Sequence, residues 1–466
     1  MIALSLGRIE AVVSGRLVGD HDRETPVGGA VETDSRRVAA GSIFFALPGE
    51  TTDGHLFAAD AAAAGAALVI SERELPLPIP QIVVDDGVTA LADLARHVVQ
   101  TVRERGELTV IGITGSNGKT TTKNMLHAVL QTQGPTVAPR ESFNNHVGAP
   151  ISMLGIDEGT RYLIVEMGAS GAGEIARLAA IARPDIGVEL KVGLAHAGFF
   201  GGIEATQRAK AELVQALPGD GIAVLNADDE RVAAMAALTA ARPVWFGLGE
   251  RAGIRAEEIE ATATGTRFTA VIGGHRHPVA LRILGEHHVM NALATLAVTE
   301  QLGVPTGRAV AALEALPRAE RWRMEVLTPS TGVVVINDAY NASPDSMAAA
   351  LKTLAQVTRD GRRSVAVLGE MAELGEYADE EHDRIGRLAV RLNVRKLVVV
   401  GTGARHIHNA AGLEGSWDGE SVFVSTPDAA YDLLREELRA GDVVLVKSSK
   451  SAGLRYLGDR LGEVAP

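Results

Sequence analysis

Gly112-Ile-Thr-Gly115-Ser-Asn-Gly118-Lys119-Thr120-Thr121 joins a β-rich run, Leu108–Thr114, to a helical one, Thr120–Gln131, which stops at Gly134-Pro135. Glycines at such a junction let backbone N–H groups wrap phosphate oxygens, and the helix N-terminus adds positive potential. Lys119 is placed to reach the β- and γ-phosphates, and Thr120 to offer its hydroxyl to Mg²⁺. The strict phosphate-loop spacing asks for glycine at position 113, where Ile113 stands. The bland alternative is a glycine-rich turn with no ligand. The strand–loop–helix context favours a nucleotide held across Gly115, Ser116, Asn117, Gly118, Lys119, Thr120 and Thr121.

Outward from this loop, short β-rich runs at Tyr162–Glu166, Ile186–Val192 and Ala223–Asn226 alternate with helical stretches of mixed polarity. That order predicts a parallel sheet covered on both faces. Ile254–Leu284 alternates in polarity, with turn signals at Gly265 and Gly273-Gly274, and predicts a small antiparallel sheet of two or three strands. Before the loop, Ser42–Leu47, Ala67–Ile70 and Ile82–Val84 alternate with an alanine-rich helical stretch. Val88–Glu104 reads as a connector helix. After Pro317, runs at Val333–Ile336, Ser364–Leu368, Lys396–Val400 and Val443–Val446 again alternate with helices. The expected class is α/β with three domains: an N-terminal α/β domain (1–85), a central phosphate-loop ATPase domain (86–317) and a C-terminal Rossmann-like α/β domain (318–466).

Composition agrees. At about 150 residues per domain, 466 residues suggest three. The net charge of −13 argues against a general nucleic-acid binder, so a local pocket must supply the charge for any anionic substrate. There is no cysteine, which excludes disulfides, thiolate nucleophiles and iron–sulfur clusters. Met1–Val18 lacks the basic and apolar regions of a signal peptide, and the most apolar stretch, Ala58–Ile70, is too short to span a bilayer. A cytoplasmic monomer with no membrane insertion is expected.

Several polar groups fall at the carboxyl ends of strands, where open α/β sheets bind ligands. Glu166 ends one strand and suits the metal of a bound nucleotide; a solvated strand-end charge is the alternative. His196 follows another strand, and Lys210 lies in a helical segment. On residue chemistry alone both read as structural, because Mg²⁺ prefers oxygen ligands. His287-His288 opens a helix, but adjacent positions are expected to diverge there and lack zinc spacing. Asn291 is the better ligand candidate, for a base edge. Asn337-Asp338-Ala-Tyr340-Asn341-Ala-Ser343-Pro344-Asp345-Ser346 follows a strand. A helix cap explains Ser343-Pro344-Asp345 but not the amides before it. Asp34-Ser35-Arg36-Arg37, Asp53-Gly54-His55 and Lys447-Ser-Ser-Lys450 are weaker, since charged turns usually face water.

The order of these pieces resembles the Mur ligases, ATP-dependent amide-forming enzymes of peptidoglycan synthesis, over essentially the whole chain. Thr114-Gly-Ser-Asn-Gly-Lys-Thr-Thr121, Val165-Glu-Met-Gly168 and Leu225-Asn-Ala-Asp-Asp229 are similar to the ATPase-domain motifs of that family. Ser142-Phe-Asn-Asn-His146, Arg323-Met-Glu325, Asn337–Met347 and Leu368-Gly-Glu-Met-Ala-Glu-Leu-Gly375 resemble the member that adds D-alanyl-D-alanine to UDP-N-acetylmuramoyl-tripeptide. The Asp-Asn-Pro-Arg signature of the diaminopimelate- or lysine-adding sister is absent.

The resemblance implies ATP and two Mg²⁺ ions. Lys119, Glu166, His196 and Lys210 would be catalytic, with Thr120 and Glu166 on the first metal and His196 and a carbamylated Lys210 on the second. It places Asn291, Arg323 and Asp338 at adenine and ribose, and Ser35, Arg36 and His55 at the UDP end. Asn144, Asn145, Tyr340 and Asn341 would be further substrate contacts, with the dipeptide near Asn341. The chain departs from the family at Glu189-Leu-Lys191-Val-Gly193, where Thr-Asn-Val-Gly is usual, and at the Ala-Gly-Phe-Phe after His196. His288 and Lys447-Ser-Ser-Lys450 depart as well. Another Mur-type or folate-type ligase, a switch ATPase without ligation and a non-catalytic binder of UDP-sugars are the competing readings.

Overall fold

Strand Thr109–Thr114, which feeds the glycine loop, lies inside a nine-stranded sheet in the computed structural model. The structure describes residues 1–49, 52–193, 202–262, 265–317, 320–414 and 417–463. On one side of Thr109–Thr114 lies Tyr162–Glu166 and beyond it Thr136–Val137, so the chain goes first to the outer strand and then to the inner one. It then returns to the other side with Ile186–Glu189, Ile222–Asn226 and Arg242–Gly247, all parallel. The carboxyl end of Thr109–Thr114 is therefore a topological switch point, the place where crossovers to opposite faces leave a crevice.

Both faces are covered, as the β-branched runs require. Val110, Leu163 and Val165 pack under helices Gly87–Arg105 and Glu174–Ala182; Ile111, Ile113, Ile164 and Val188 pack under Lys119–Leu130 and His287–Gln301.

The expected antiparallel strands are there, three of them, and they continue the central sheet. Ile254–Thr262, Gly265–Ile272 and His275–Leu281 are antiparallel to one another, but Phe246 and Gly247 pair in parallel with Ile254 and Arg255. The edge strand Arg242–Gly247 would otherwise expose unpaired N–H and C=O groups, and the three strands cover that edge.

The N-terminal residues form a five-stranded sheet in the order Arg16–Val18, Gln81–Val83, Leu68–Ser71, Ile43–Ala46 and Val31–Glu32. Its core continues through helix Gly87–Arg105 into the core of the central sheet. The C-terminal sheet runs Glu325–Leu327, Val334–Asn337, Val443–Lys447, Ser364–Leu368, Lys396–Val400 and Glu420–Val424, with only the first strand antiparallel. Two of these, Glu325–Leu327 and Glu420–Val424, have no counterpart in the sequence reading. No helix among the described residues is long and apolar enough to cross a membrane.

The strap entering the C-terminal sheet is strained. Trp322 and Met324 adopt φ of +60° and +50°, a region that bulky residues avoid. Such conformations persist only where the surroundings hold them. Here the holder is Asp459, buried on helix Leu454–Leu461, which accepts from Trp322 Nε1 at 2.9 Å, Arg321 Nη2 at 3.1 Å and Asn337 Nδ2 at 3.1 Å. Removing the carboxylate strips the half-buried Trp322 N–H and the Arg321 guanidinium of this acceptor and leaves the buried Asn337 amide only the Arg455 carbonyl. Asp459→Ala should therefore cost on the order of 3 kcal/mol, read as a lower urea midpoint for the C-terminal region. An unchanged midpoint would show that the strap is held by packing alone.

Candidate active site

The glycine loop closes on itself. Lys119 Nζ donates to the Gly115 carbonyl at 2.7 Å. Gly118 sits at φ +89°, and a Cβ there would run into Asn291 Oδ1, so the loop and helix His287–Gln301 are packed without room for a side chain. Burial lowers the pKa of Lys119; the nearby Glu166 carboxylate opposes this and Arg323 reinforces it.

Glu166, 1% exposed, ends its strand beside the loop. Its Oε1 accepts from Thr120 Oγ1 at 3.2 Å and Asn144 Nδ2 at 2.9 Å. Its Oε2 is buried with no partner. An orphaned carboxylate oxygen beside a threonine hydroxyl is a hard-oxygen donor pair, which fits Mg²⁺. Ser142 Oγ lies 3.0 Å from Thr120 Oγ1, and Arg323 Nη2 donates to both hydroxyls, at 3.2 and 3.1 Å.

The opposite wall comes from the C-terminal sheet. Asp338, Tyr340 and Asn341 follow strand Val334–Asn337, and Ser343 opens helix Pro344–Val357 with a capping box to Ser346. The Ser343 hydroxyl also donates to Asn117 Oδ1 at 3.1 Å, across to the glycine loop. Lys447 is buried, its Nζ 2.6 Å from Asp338 Oδ2 and 3.1 Å from the Asn341 carbonyl, while Asp338 Oδ1 accepts from the Met324 N–H. The Arg323 guanidinium lies 4.3 Å from the Tyr340 ring. Lys191, in the segment departing from the family, pairs with Asp345 at 3.2 Å. These two walls enclose a cleft of about 320 Å³.

Of the residues expected to act, Ser116, Asn117, Gly118, Lys119, Thr120, Thr121, Asn144, Glu166, Asn291, Arg323, Asp338, Tyr340 and Asn341 line this cleft. Gly115 lies behind it as the acceptor for Lys119. Lys210 does not line it; it is buried on helix Ile203–Gln215, and burial pushes its ammonium down to about 7, with Lys119 acting the same way and Glu189 opposing. His196 lies outside the described residues. Asn145 caps a short helix by accepting from the Gly148 N–H at 2.8 Å. Ser35, Arg36 and His55 belong to the N-terminal sheet region and do not line the cleft. Arg36 pairs with Asp34 at 2.7 Å. Both His55 ring nitrogens are engaged, Nδ1 with Asp53 at 2.6 Å and Nε2 with the Glu72 N–H at 3.0 Å.

The expectation that His287 and His288 diverge is corrected. Their ring centroids are 4.1 Å apart and both line the cleft, so the rings turn toward each other although their Cβ atoms fan apart on the helix. Sequence reasoning also passed over Ser142 as an individual contact and Lys123. Lys123 is fully buried and donates to the Pro139 carbonyl at 2.8 Å, fixing the loop that carries Ser142. Its spacing of four from Lys119 was visible, but nothing in the sequence said that the residue is buried.

Comparison with known proteins supports the same frame. Family models match at residues 29–99 (Mur ligase family, catalytic domain), 113–299 (Mur ligase middle domain) and 322–450 (Mur ligase, glutamate ligase domain). The chain is 46% identical to a Mycobacterium tuberculosis protein named UDP-N-acetylmuramoyl-tripeptide–D-alanyl-D-alanine ligase, over 99% of this chain and 98% of that one. Among solved structures, MurF from Acinetobacter baumannii has a TM-score of 0.88 at 31% identity, covering 99% of both chains. MurF from Thermotoga maritima, in complex with ADP, has 0.81 at 28%, covering 94% of this chain and 98% of that one. With three consecutive domain matches and near-complete coverage by its relatives, the chain belongs to the Mur ligase family.

Proposed function

We propose that the chain joins D-alanyl-D-alanine to UDP-N-acetylmuramoyl-tripeptide with hydrolysis of ATP to ADP and phosphate. The observation that carries the reading is the buried, unpartnered Glu166 Oε2 beside Thr120 and Lys119, in a cleft whose far wall is the polar turn Asp338–Ser346. A bare nucleotide switch needs the first half of that arrangement and not the second.

A carboxylate and an amine do not condense unaided, because oxide is a very poor leaving group. The tripeptide carboxylate attacks the γ-phosphorus of ATP, the bond to the ADP oxygen breaks, and an acyl phosphate results. The dipeptide amine then attacks the acyl carbon, phosphate leaves, and the nitrogen gives up a proton. Lys119 and the loop N–H groups bind the triphosphate, with Asn291, Arg323 and Asp338 toward the nucleoside. Mg²⁺ held by Thr120 and Glu166 would neutralise charge on the phosphoryl oxygens. His196 and a carbamylated Lys210 would hold a second ion; an ammonium cannot ligate a cation, whereas a carbamate is an anionic oxygen donor. Ser35, Arg36 and His55 mark the region of residues 1–85 for the UDP end, and Asn144, Asn145, Tyr340 and Asn341 face the peptide and the dipeptide. The C-terminal wall closing over the loop keeps water from the acyl phosphate. A cytoplasmic location goes with this reading, because the reaction consumes ATP.

Steady ADP release should require the UDP-tripeptide and D-alanyl-D-alanine together; comparable release with neither would count heavily against ligation. Mass-detected products with a panel of amine acceptors separate this enzyme from other Mur-type or folate-type ligases.

Glu166→Gln keeps the volume but removes the anionic oxygen. It should lower kcat by about 10²–10³-fold and shift the Mg²⁺ dependence to higher concentration. A variant with the wild-type Mg²⁺ curve would remove Glu166 from the metal.

His287 is pushed down to about 4 by burial, with Asp338 opposing and Lys447 reinforcing, and His288 is pushed well below its ordinary value. An unfolded histidine titrates near 6.5. Between that value and about 4 the unfolded chain binds protons that the folded chain refuses, so stability is full above the window and falls as pH drops through it. Thermal melts should show a falling Tm on acidification from pH 7 to pH 5, and His287→Gln/His288→Gln should flatten the slope. An unchanged slope in the double variant would assign the acid sensitivity elsewhere.

A further inference from the structure

Glu189 is the last residue of strand Ile186–Glu189 and is wholly buried, yet neither carboxylate oxygen accepts a hydrogen bond. Its register partner on the neighbouring strand is Thr114, also wholly buried, with a hydroxyl that has no partner. The other acidic group near Glu189, Asp229, is already used by the N–H groups of Val192, Arg231 and Val232. Two unsatisfied polar side chains side by side in one sheet are costly, and an apolar residue at position 189 would avoid the cost.

What lies over them is settled by the packing. Gly112 and Gly187 are two residues before Thr114 and Glu189, so they share the same face of the sheet. Both glycines meet Leu213 of helix Ile203–Gln215. Lys210 is one helical turn before Leu213 and therefore on the same side of that helix. In a crossover unit the helix runs back against the strands, so Lys210 is displaced from Leu213 toward the strands' carboxyl ends, where Thr114 and Glu189 are. Lys210 itself is 3% exposed.

We infer that Glu189 and Thr114 are positioning residues for a carbamylated Lys210: a Glu189 oxygen accepts the carbamate N–H, and the Thr114 hydroxyl donates to one carbamate oxygen. This rests on the proposed modification of Lys210 and adds the residues that hold it. Carbamylation is balanced with CO₂ as co-reactant. The Nζ lone pair forms the N–C bond, one C=O pair moves onto oxygen, and one proton leaves to solvent. The product carries one N–H donor and two acceptor oxygens, which is the complement of the groups left unpaired. Held by its N–H and one oxygen, it keeps the remaining lone pairs for a cation. The Lys119 ammonium lies close enough to act on Lys210 and offsets the added negative charge.

The test uses the full chain equilibrated with ¹³C-bicarbonate and read by ¹³C NMR, with Lys210→Ala as the blank. Glu189→Gln retains an acceptor oxygen and should keep the carbamate resonance. Glu189→Leu removes the acceptor and should lower carbamate occupancy by about tenfold or more at equal bicarbonate. Because leucine relieves a buried orphan charge, its Tm should equal or exceed that of the wild type, so a lost signal cannot be ascribed to unfolding. In turnover, kcat should fall with little change in KM for ATP. A wild-type resonance in Glu189→Leu overturns the inference while leaving the modification standing. Absence of the resonance from the wild-type protein overturns the modification, and this inference with it.

Discussion

A carboxylate taken out of water must be given donors or a cation, and the central sheet takes two out of water at the same edge. Glu166 and Glu189 end strands on either side of Thr109–Thr114, in register with Ile113 and Thr114. Consecutive residues of that strand point to opposite faces, so the two carboxylates are separated by the sheet rather than stacked against each other. Glu166 faces the phosphate-loop helix, and Glu189 faces the helix that carries Lys210. The burial that would be ruinous for either group alone sets anionic oxygen on both faces of the sheet beside the glycine loop. Much of the neighbouring chemistry answers that constraint: the lysine that closes the loop, the hydroxyls of Thr120 and Ser142, and the buried lysine that fixes the Ser142 loop.

The second half of the site depends on how the C-terminal sheet is seated. Arg323 reaches the hydroxyls of Thr120 and Ser142, Ser343 reaches Asn117, and Asp345 meets Lys191. None of these contacts is strong. The Lys191–Asp345 pair is half exposed and so contributes little on its own. A weakly held joint suits a protein that must admit three substrates and release three products. The strength is placed inside the C-terminal unit, where Asp459 fixes the strained strap and so fixes the direction in which Arg323 leaves it.

The parts of this arrangement legible in the sequence were those with local signals. A glycine loop between strand and helix, β-rich runs ending in a carboxylate, and a Ser-Pro-Asp helix start all leave marks within ten residues, and the elements stand where those marks put them. What escaped depends on the third dimension. The pairing of Phe246 with Ile254 joins the antiparallel strands to the central sheet, and hydrophobic alternation says nothing about which edge a hairpin joins. Lys123 looks like any helical lysine until the loop at Pro139 covers it. His55 carries the opposite lesson: its sequence context suggested a ligand, and its two ring nitrogens are occupied by Asp53 and the Glu72 backbone. Such a residue can still shape a binding region, but through the turn it holds rather than through a free nitrogen.

The charge distribution completes the logic. A chain of net charge −13 repels a triphosphate at long range, yet the Debye length in cells is about 8 Å, so the approach is governed by what the ligand meets in the last few ångströms. There it meets Lys119, Arg323 and Lys447 together with the N–H groups of the glycine loop. Each cation already has an internal partner: Lys119 the Gly115 carbonyl, Arg323 two hydroxyls, Lys447 the Asp338 carboxylate. A phosphate must therefore displace hydrogen bonds to the protein rather than fill bare positive charge. That lowers the affinity for any single anion and favours a ligand that engages several cations at once. Such cations stand on both walls of the cleft, Lys119 on the glycine loop and Arg323 and Lys447 on the C-terminal side. Selectivity then comes from how many of these donors one ligand can meet at once, and the walls of the cleft set that number.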